Sequence, residues 1–315
     1  MPTRLISFAL AAGAASVCAL AFFPALRATS RVRRLGLIVA AAFILATPWI
    51  IPPGARLLRC LAAILAVVLS IKLYDLQLGA ARGIRPSLLE FLAFLPNIYS
   101  LVHRKLHAEV RPPHVLELRR AALAAFAGGT AAVVFLATFK TDWARYNFAT
   151  EHAVKVVTFF LALVPLANFG ASVWRLAGGR GRDFMDNPFA ARTPADFWRR
   201  YNRPVHQFLE HDVFTPAGGR RSPFRAAVAA FVVSALIHEY VFFAPVGRVQ
   251  GYQTAFFLVQ GLAVAITLRL HPRGVAAAAS IAATFAFNVL TGVLFFASVD
   301  EVLPLYVNDV PVWDW

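Results

Sequence analysis

Residues 224–244, FRAAVAAFVVSALIHEYVFFA, form an apolar run of twenty-one positions in which only Arg225, His238 and Glu239 are ionisable near neutral pH. As a helix rising about 1.5 Å per residue, the run is roughly 31 Å long, enough to cross the hydrocarbon core of a bilayer. Arg225 lies at the mouth of the run, whereas His238 and Glu239 lie deep inside it. Ionisable groups at that depth are costly, and they usually face a bundle interior or a wet cavity. The run therefore indicates chemistry or transport, with structural hydrogen bonding between helices as the alternative.

The composition indicates a membrane protein of the all-α, polytopic class. Hydrophobic residues make up 59% of the 315 positions and charged residues 15%, against about 25% charged in soluble domains. The apolar runs are long and do not alternate with polar residues, which argues against a transmembrane barrel. The net charge of +15 is explained by basic cytoplasmic loops, so no nucleic-acid partner is expected.

Long apolar runs predict about eight crossings of the membrane. The predicted spans are 5–26, 35–51, 57–74, 119–139, 152–176, 224–244, 252–268 and 275–298. Residues 87–102 are apolar but short, contain Pro96 and Asn97, and have basic residues on both sides. A re-entrant or interfacial helix keeps both basic flanks on one side, and we expect that arrangement. Lys72 is expected to mark the start of the loop after the third span, and Asp75 to be a solvated helix end.

The distribution of arginine predicts which loops face the cytoplasm. The stretch 177–223 contains eight arginines, and the loop Arg27–Arg34 contains four. The C-terminal tail, ending at Trp315, has acidic residues and neither lysine nor arginine. The positive-inside rule places both basic loops in the cytoplasm and the tail on the opposite side. No repeat, soluble region or low-complexity linker is present, so residues 1–315 are predicted to form a single domain.

A polar segment precedes the 224–244 span. Residues 196–210 have helical character, with aromatic and aliphatic side chains on one side, as in a helix lying at the membrane surface. Trp198 and the neighbouring arginines are expected at headgroup level. Asn202 and His206 are one turn apart and are therefore predicted to share a face.

Several alternative chemistries are excluded by the residues themselves. His238-Glu239 begins like a zinc-protease helix, but Phe242 stands where the second histidine is needed. The glycine-rich stretch 178–182 lacks the lysine and hydroxyl residue of a P-loop. No serine lies in a nucleophile elbow. We expect no metal and no cofactor.

Three stretches, 194–202 (PADFWRRYN), 213–216 (VFTP) and 231–239 (FVVSALIHE), resemble the wax-synthase branch of the membrane-bound O-acyltransferases (MBOAT superfamily). The motif core is 193–245. Members carry an asparagine or aspartate after an aromatic pair and a histidine within a later membrane helix, positions that match Asn202 and His238. Tyr201 stands where wax synthases usually have tryptophan, and Ala235 where glycine is common.

The resemblance implies transfer of a fatty acyl group from acyl-CoA to a long-chain alcohol. A neutral imidazole suits the general base for an alcohol, which assigns that role to His238. Asn202 is expected to hydrogen-bond the reacting carbonyl or to orient the histidine, with both side chains lining an internal tunnel. The predicted substrate-binding residues are Trp198, Arg199, Arg200, Arg203, His206, Ser234 and Glu239, and for Glu239 an interhelical hydrogen bond is favoured.

Two other functions remain open beside acylation of a long-chain alcohol. The first is an acyltransferase whose acceptor is the hydroxyl of a sterol, a diacylglycerol or a glycan. A proton-coupled transporter using His238 and Glu239 is the non-enzymatic alternative; such a protein should show paired broken helices in two related halves. The expected partners are acyl-CoA, a lipid hydroxyl and membrane lipids, in a bacterial inner membrane or endoplasmic reticulum.

Overall fold

A computed structural model of the protein describes residues 2–106 and 112–313. Over those residues the chain is helical and contains no strand. The α-helices are α1 (Pro2–Ala21), α2 (Ser30–Ala46), α3 (Arg56–Ala81), α4 (Leu88–Phe94), α5 (His103–Leu106), α6 (His114–Thr138), α7 (Phe148–Leu176), α8 (Pro194–Arg200), α9 (Arg203–Leu209), α10 (Pro223–Val246), α11 (Tyr252–Thr267) and α12 (Val275–Val302). The predicted all-α class is confirmed.

Seven helices of the described residues are long and apolar enough to cross a membrane. They are Pro2–Arg27, Ser30–Ile50, Arg56–Ala81, His114–Thr138, Phe148–Leu176, Pro223–Val246 and Val275–Val302. The remaining predicted span, 252–268, is the shorter apolar helix α11 of 16 residues. Its length is about 24 Å, below the roughly 30 Å of a bilayer core. The protein is an integral, multi-pass membrane protein, as predicted.

The stretch 87–102 does not form a long helix. Ser87 and Glu90 make a reciprocal capping box that starts α4, and the helix ends after seven residues at Phe94. Pro96 follows two residues later and cannot continue the helical hydrogen bonding. A seven-residue helix is about 10 Å long and is too short to cross a bilayer core. The re-entrant or interfacial placement of 87–102 stays a prediction.

The predictions for Lys72 and Asp75 are wrong. The helix α3 continues through both residues to Ala81, and both side chains are fully buried. Lys72 Nζ donates to the carbonyl oxygens of Phe94, Leu95 and Asn97 at 2.6, 3.1 and 2.5 Å. These three carbonyls lie at and just beyond the C-terminal end of α4, where backbone acceptors lack intrahelical partners.

Asp75 accepts hydrogen bonds from the segment that follows α4. Its carboxylate accepts from the backbone N–H of His103 at 2.7 Å and from Arg104 Nε at 2.6 Å. The two charged groups of α3 therefore hold the irregular 95–104 segment, instead of marking an exposed loop.

The described residues form two compact units. The first contains residues 2–106, 237–250 and 301–303, and its core is built from α1, α2, α3 and α4 around Phe22, Leu73, Phe91 and Phe94. The second contains residues 112–236, 251–300 and 304–313. The prediction of a single acyltransferase domain stays a prediction.

Close helix packing organises the second unit. A Cβ built on Gly128 of α6 would lie 2.8 Å from the Leu166 side chain of α7, so only glycine permits this approach. Small residues at such crossings are typical of helices packed within membranes. A second cluster includes Ala227, Phe231, Phe256 and Phe257 from α10 and α11.

Candidate functional site

His238 lies in the second half of α10. It follows Pro223 by fifteen positions and precedes Val246 by eight, which places it about 22 Å from one end of the helix and about 12 Å from the other. Its side chain is half-buried, and Ser234, one turn earlier, is buried. Leu236 points to the opposite side and is 66% exposed. His238 and Ser234, one turn apart, thus share one face of this helix.

Glu239 binds a backbone amide. Its Oε1 accepts from the N–H of Gln250 at 2.9 Å. Gln250 belongs to the loop that follows α10, so this bond joins the helix to its own following loop instead of to a neighbouring helix. Gly247 supports the turn, since its φ of +82° is a backbone conformation that favours glycine.

The predicted continuous helix over 196–210 is wrong. The segment is divided into α8 and α9, with Tyr201 and Asn202 between them. Asn202 has φ +44° and ψ +60°, the left-handed conformation that asparagine tolerates better than most residues. Pro204 lacks the N–H needed by a continuous helix and suits the first turn of a new one. Asn202 is therefore the N-cap of α9, and its Oδ1 accepts from the N–H of Val205 at 3.4 Å.

Two backbone hydrogen bonds fix the junction between α8 and α9. The N–H of Asp186 donates to the carbonyl of Arg200, and the N–H of Arg203 donates to the carbonyl of Phe184, both at 2.9 Å. These bonds lie on either side of Tyr201-Asn202. The 184–186 segment consequently holds the loop that carries Asn202.

Asn168 of α7 holds the 184–186 segment in turn. Its Nδ2 donates to the carbonyl of Met185, and its Oδ1 accepts from the N–H of Met185, both at 2.9 Å. Met185 is almost completely buried. Two hydrogen bonds therefore join α7 to the 184–186 segment, and two more join that segment to the residues on either side of Tyr201-Asn202. Asn168 was not among the predicted site residues, although an amide within a long apolar run was a signal for it.

Trp198 packs into the second unit. Its ring contacts those of Phe231 and Phe257, with centroids 5.3 and 5.8 Å away, and its Nε1 donates to Gln260 Oε1 at 2.9 Å. Gln260 is fully buried and donates to Thr291 Oγ1 at 2.8 Å. A polar chain thus joins α8, α11 and α12. Gln260 was not among the predicted site residues, although an uncharged amide within a long apolar run was a signal for it.

Asp196 organises the basic side chains of α8. Its Oδ1 accepts from Arg199 Nη2 at 2.5 Å and from Arg200 Nε at 3.0 Å, and its Oδ2 from the N–H of Arg192 at 3.1 Å. Burial alone would raise the pKa of Asp196, but these hydrogen bonds outweigh it and lower the pKa below its usual value. The carboxylate is charged at neutral pH and neutralises part of the basic surface.

Arg203 differs from the other two arginines. Within the described chain its guanidinium has no hydrogen-bond acceptor, and the residue is half-buried at the start of α9. Arg199 is 68% exposed, so its ion pair with Asp196 exchanges readily with other anions. Of the three arginines among the predicted substrate-binding residues, Arg203 and Arg199 are the more accessible to a ligand.

His206 is half-buried in α9, with Nδ1 3.9 Å from Glu210 Oε2. Burial lowers its pKa, the Glu210 carboxylate opposes that effect, and Arg199, Arg203 and His211 add to it. The imidazole is therefore neutral at pH 7. Among the residues that the structure describes, no group of three or more His, Cys, Asp or Glu side chains is arranged to hold a metal ion.

Asn202 and His238 belong to different units, so their convergence at one tunnel stays a prediction. The structure places His238 and Ser234 on one face of α10. It places Asn202 on the junction of α8 and α9, which backbone hydrogen bonds hold. The class of protein defined in this way is a multi-pass helical membrane protein with a histidine at depth in one span and an amide on a fixed turn.

The chain belongs to the MBOAT, membrane-bound O-acyltransferase family, whose model matches residues 123–299. This range includes Asn168, Asn202 and His238. The predicted family membership is confirmed.

Curated relatives differ in the acceptor named for them. The chain is 27% identical over 143 residues to a probable sterol O-acyltransferase 2 of Schizosaccharomyces pombe, covering 45% of the chain and 29% of that protein. It is 25% identical over 178 residues to a probable long-chain-alcohol O-fatty-acyltransferase 2 of Arabidopsis thaliana, covering 52% and 51%. Over 59 residues it is 39% identical to a diacylglycerol O-acyltransferase 1B of Glycine max, covering 18% and 12%. The chain thus spans at most about half the length of these relatives.

Proposed function

We propose that the protein transfers a fatty acyl group from acyl-CoA to the hydroxyl of a long-chain alcohol, giving a wax ester and free coenzyme A. The observation that carries this proposal is His238, half-buried about 22 Å along a candidate span in a chain of this acyltransferase family. A lipid hydroxyl that stays in the bilayer can meet a base at that depth. A water-soluble acceptor would not need one there.

The chemistry requires one proton transfer and no covalent enzyme intermediate. In the proposed reaction, an imidazole nitrogen of His238 accepts the hydroxyl proton as the alcohol oxygen attacks the thioester carbonyl. The tetrahedral intermediate collapses, the carbon–sulfur bond breaks, and the thiolate takes the proton back from the imidazolium. The ester and the thiol of coenzyme A are the products, so no cofactor is consumed.

Asn202 supplies a donor in this proposal. Its Oδ1 already accepts from the N–H of Val205, so the Nδ2 amide is the group that it offers to a substrate. An N–H donor stabilises the negative charge that develops on the carbonyl oxygen. This observation favours the carbonyl-binding role of Asn202 over the alternative, in which its oxygen orients His238.

Coenzyme A carries several phosphate groups, and guanidinium forks match phosphate oxygens. We assign this contact to Arg203 and Arg199, with Arg200 in a supporting position because Asp196 and the carbonyl of Asp186 already accept from it. His206, neutral and one turn into α9, lies beside them.

The other proposed binding residues either contact the substrate beside His238 or hold the helices of the site in position. Ser234 lies one turn from His238 and is proposed to contact the substrate beside it. Trp198 and Glu239 already have hydrogen-bond partners in Gln260 and Gln250. Their proposed contribution is to position α8 and the C-terminal part of α10.

A second acceptor class is supported by the relatives themselves. Two of the three are named for sterol and diacylglycerol acyl transfer, and nothing in the chemistry above distinguishes one lipid hydroxyl from another. Sterol or diacylglycerol acylation is therefore the alternative, with the same base and the same donor.

The experiment is an acyl-transfer assay on the purified, reconstituted protein. Radiolabelled palmitoyl-CoA or palmitoyl-acyl carrier protein is offered with hexadecanol, a sterol or diacylglycerol, and the lipid products are separated. We expect palmitoyl-CoA and hexadecanol to give the highest turnover. His238→Ala should lower it by about 10²–10⁴-fold, while the exposed His271→Ala should leave it nearly unchanged. Near wild-type transfer by His238→Ala would overturn the mechanism, and preference for another acceptor would overturn the substrate assignment alone.

A further inference from the structure

The connection between α1 and α2 and the start of α2 carry positive charge without a local counter-ion. Arg27, Arg31, Arg33 and Arg34 lie within eight residues, and the first acidic residue of the chain is Asp75. Asp75 is fully buried and accepts from His103 and Arg104. No carboxylate among the described residues forms an ion pair with these four arginines.

Arg33 is the unusual member of this group. Only 6% of it is exposed, whereas Arg27, Arg31 and Arg34 are exposed. Its Nη1 lies 3.4 Å from the carbonyl oxygen of Ala28, and within the described structure its Nε has no hydrogen-bond partner. A guanidinium has five N–H donors, and a buried charge is costly unless it is paired and hydrogen-bonded.

The Arg33 guanidinium lies at the start of a helix. Ala28 and Thr29 directly precede α2, which begins at Ser30 and is 17 residues long. Thr29 is the N-cap, and its side chain makes no capping hydrogen bond. The first N–H groups of a helix lack intrahelical partners and carry partial positive charge, so such a terminus favours an anion.

We propose that Arg33 and the first turn of α2 bind a phosphate group, and that its source is the phosphodiester of an anionic membrane lipid. The candidate span begins at Ser30, so its first turn belongs at the level where lipid headgroups end and acyl chains begin. Basic pockets beside membrane helices are known to bind such headgroups. The exposed arginines attract the anionic lipid, and Arg33 supplies the fixed fork that binds its phosphate.

The proposal is independent of acyl transfer, because no residue of this site belongs to the proposed catalytic machinery. Its test therefore uses lipid binding as the readout. The purified full chain is reconstituted in nanodiscs of phosphatidylcholine with or without phosphatidylglycerol, and bound lipid is counted by native mass spectrometry. Thermal unfolding is measured in the same samples.

Arg31→Gln is the matched control for Arg33→Gln, since both remove one charge from the start of α2. We expect wild type and Arg31→Gln to retain one tightly held phosphatidylglycerol and to unfold at a higher temperature when it is present. Arg33→Gln should bind it at least about tenfold more weakly. Equal losses in the two variants would mean diffuse attraction and would overturn the site.

Two further measurements keep the test decisive. If Arg33→Gln fails to fold, wild type alone must still unfold at a higher temperature in phosphatidylglycerol than in phosphatidylcholine, and equal unfolding temperatures would refute the proposal. Inorganic phosphate and coenzyme A are added separately to the phosphatidylglycerol nanodiscs. Displacement of the lipid by either at micromolar concentration would assign the site to a soluble phosphate and overturn the lipid assignment.

Discussion

Asn202 is tied to the backbone before it meets any substrate. Its left-handed conformation allows the chain to leave α8 and enter α9, and its Oδ1 caps the new helix through the N–H of Val205. Asparagine and aspartate are both good N-caps and both tolerate this conformation. The two residues differ in one respect that matters here, because only asparagine retains an N–H donor.

Replacing Asn202 with aspartate separates the cap from the donor. We expect Asn202→Asp to fold with an unchanged thermal midpoint and to lose about 10²-fold in turnover, as expected when a carbonyl-oxygen donor is removed. Asn202→Gly keeps the left-handed backbone but removes both the cap and the donor, so it should lose similar activity and some stability. Acyl-transfer rates and thermal unfolding of the three proteins provide the measurement. A fully active aspartate variant would show that Asn202 acts through its oxygen.

At the scale of elements, the junction of α8 and α9 depends on α7. Asn168 bonds to both the N–H and the carbonyl of Met185, and the residues flanking Met185 bond to the backbone of Arg200 and Arg203. This arrangement transmits the position of a membrane span to the turn that carries Asn202.

Asn168→Ala should loosen that turn. It leaves the buried backbone groups of Met185 without partners, which costs about 1–3 kcal/mol of unfolding free energy, and we expect turnover to fall about tenfold. Thr158→Ala in the same helix is the control, since Thr158 bonds only to carbonyls of α7. In a double-mutant cycle with Asn202→Asp, the two losses in activity should be less than additive. Strict additivity would separate Asn168 from the function of Asn202.

A second element-scale connection secures the residues after α12. Glu151 of α7 is fully buried and accepts from Lys155 Nζ at 2.5 Å and from the backbone N–H groups of Val307 and Asn308 at 2.8 and 3.0 Å. Lys155 also donates to the carbonyl of Leu305 at 2.5 Å. The C-terminal segment is therefore bound to α7 by a buried ion pair.

Glu151→Gln should destabilise the protein by about 3–5 kcal/mol, because it leaves the Lys155 ammonium buried without its counter-charge. Glu151→Gln combined with Lys155→Met removes both charges, and we expect it to cost less than the single change. The free energy of unfolding in mixed detergent micelles distinguishes the variants. A double variant less stable than Glu151→Gln alone would contradict this account.

At the scale of the whole molecule, α11 decides the topology. Three helices, α10, α11 and α12, lie between the arginine-rich 177–223 stretch and the C-terminal tail. If α11 crosses the membrane despite its 16 residues, the stretch and the tail are on opposite sides. If it does not cross, they are on the same side.

We expect opposite sides, because the stretch is basic and the tail has no basic residue. Single cysteines at Arg221 and Val307, in a background lacking Cys18 and Cys60, allow membrane-impermeant labelling to test this in sealed vesicles. Both replaced positions are exposed. Labelling of both from one side would show that α11 does not cross. The predicted position of Trp315 lies outside the described residues.

The sequence by itself determined the all-α membrane class, seven of the long spans, the short segment after α3 and the acyltransferase family. These features are local, since apolar length, proline and motif spacing are all read along a few tens of residues. It also located His238 at depth, because depth follows from position within one helix.

Only the tertiary structure decided the partners of the polar groups. In the sequence, Lys72 and Asp75 look like the start of a loop. In the structure both are buried, and they form hydrogen bonds with carbonyl and N–H groups more than twenty residues away. The break at Asn202 and the attachment of Met185 to Asn168 likewise depend on contacts between segments. A local pattern reports what a residue can bind, but the identity of its partner depends on which segments the packed helices bring together.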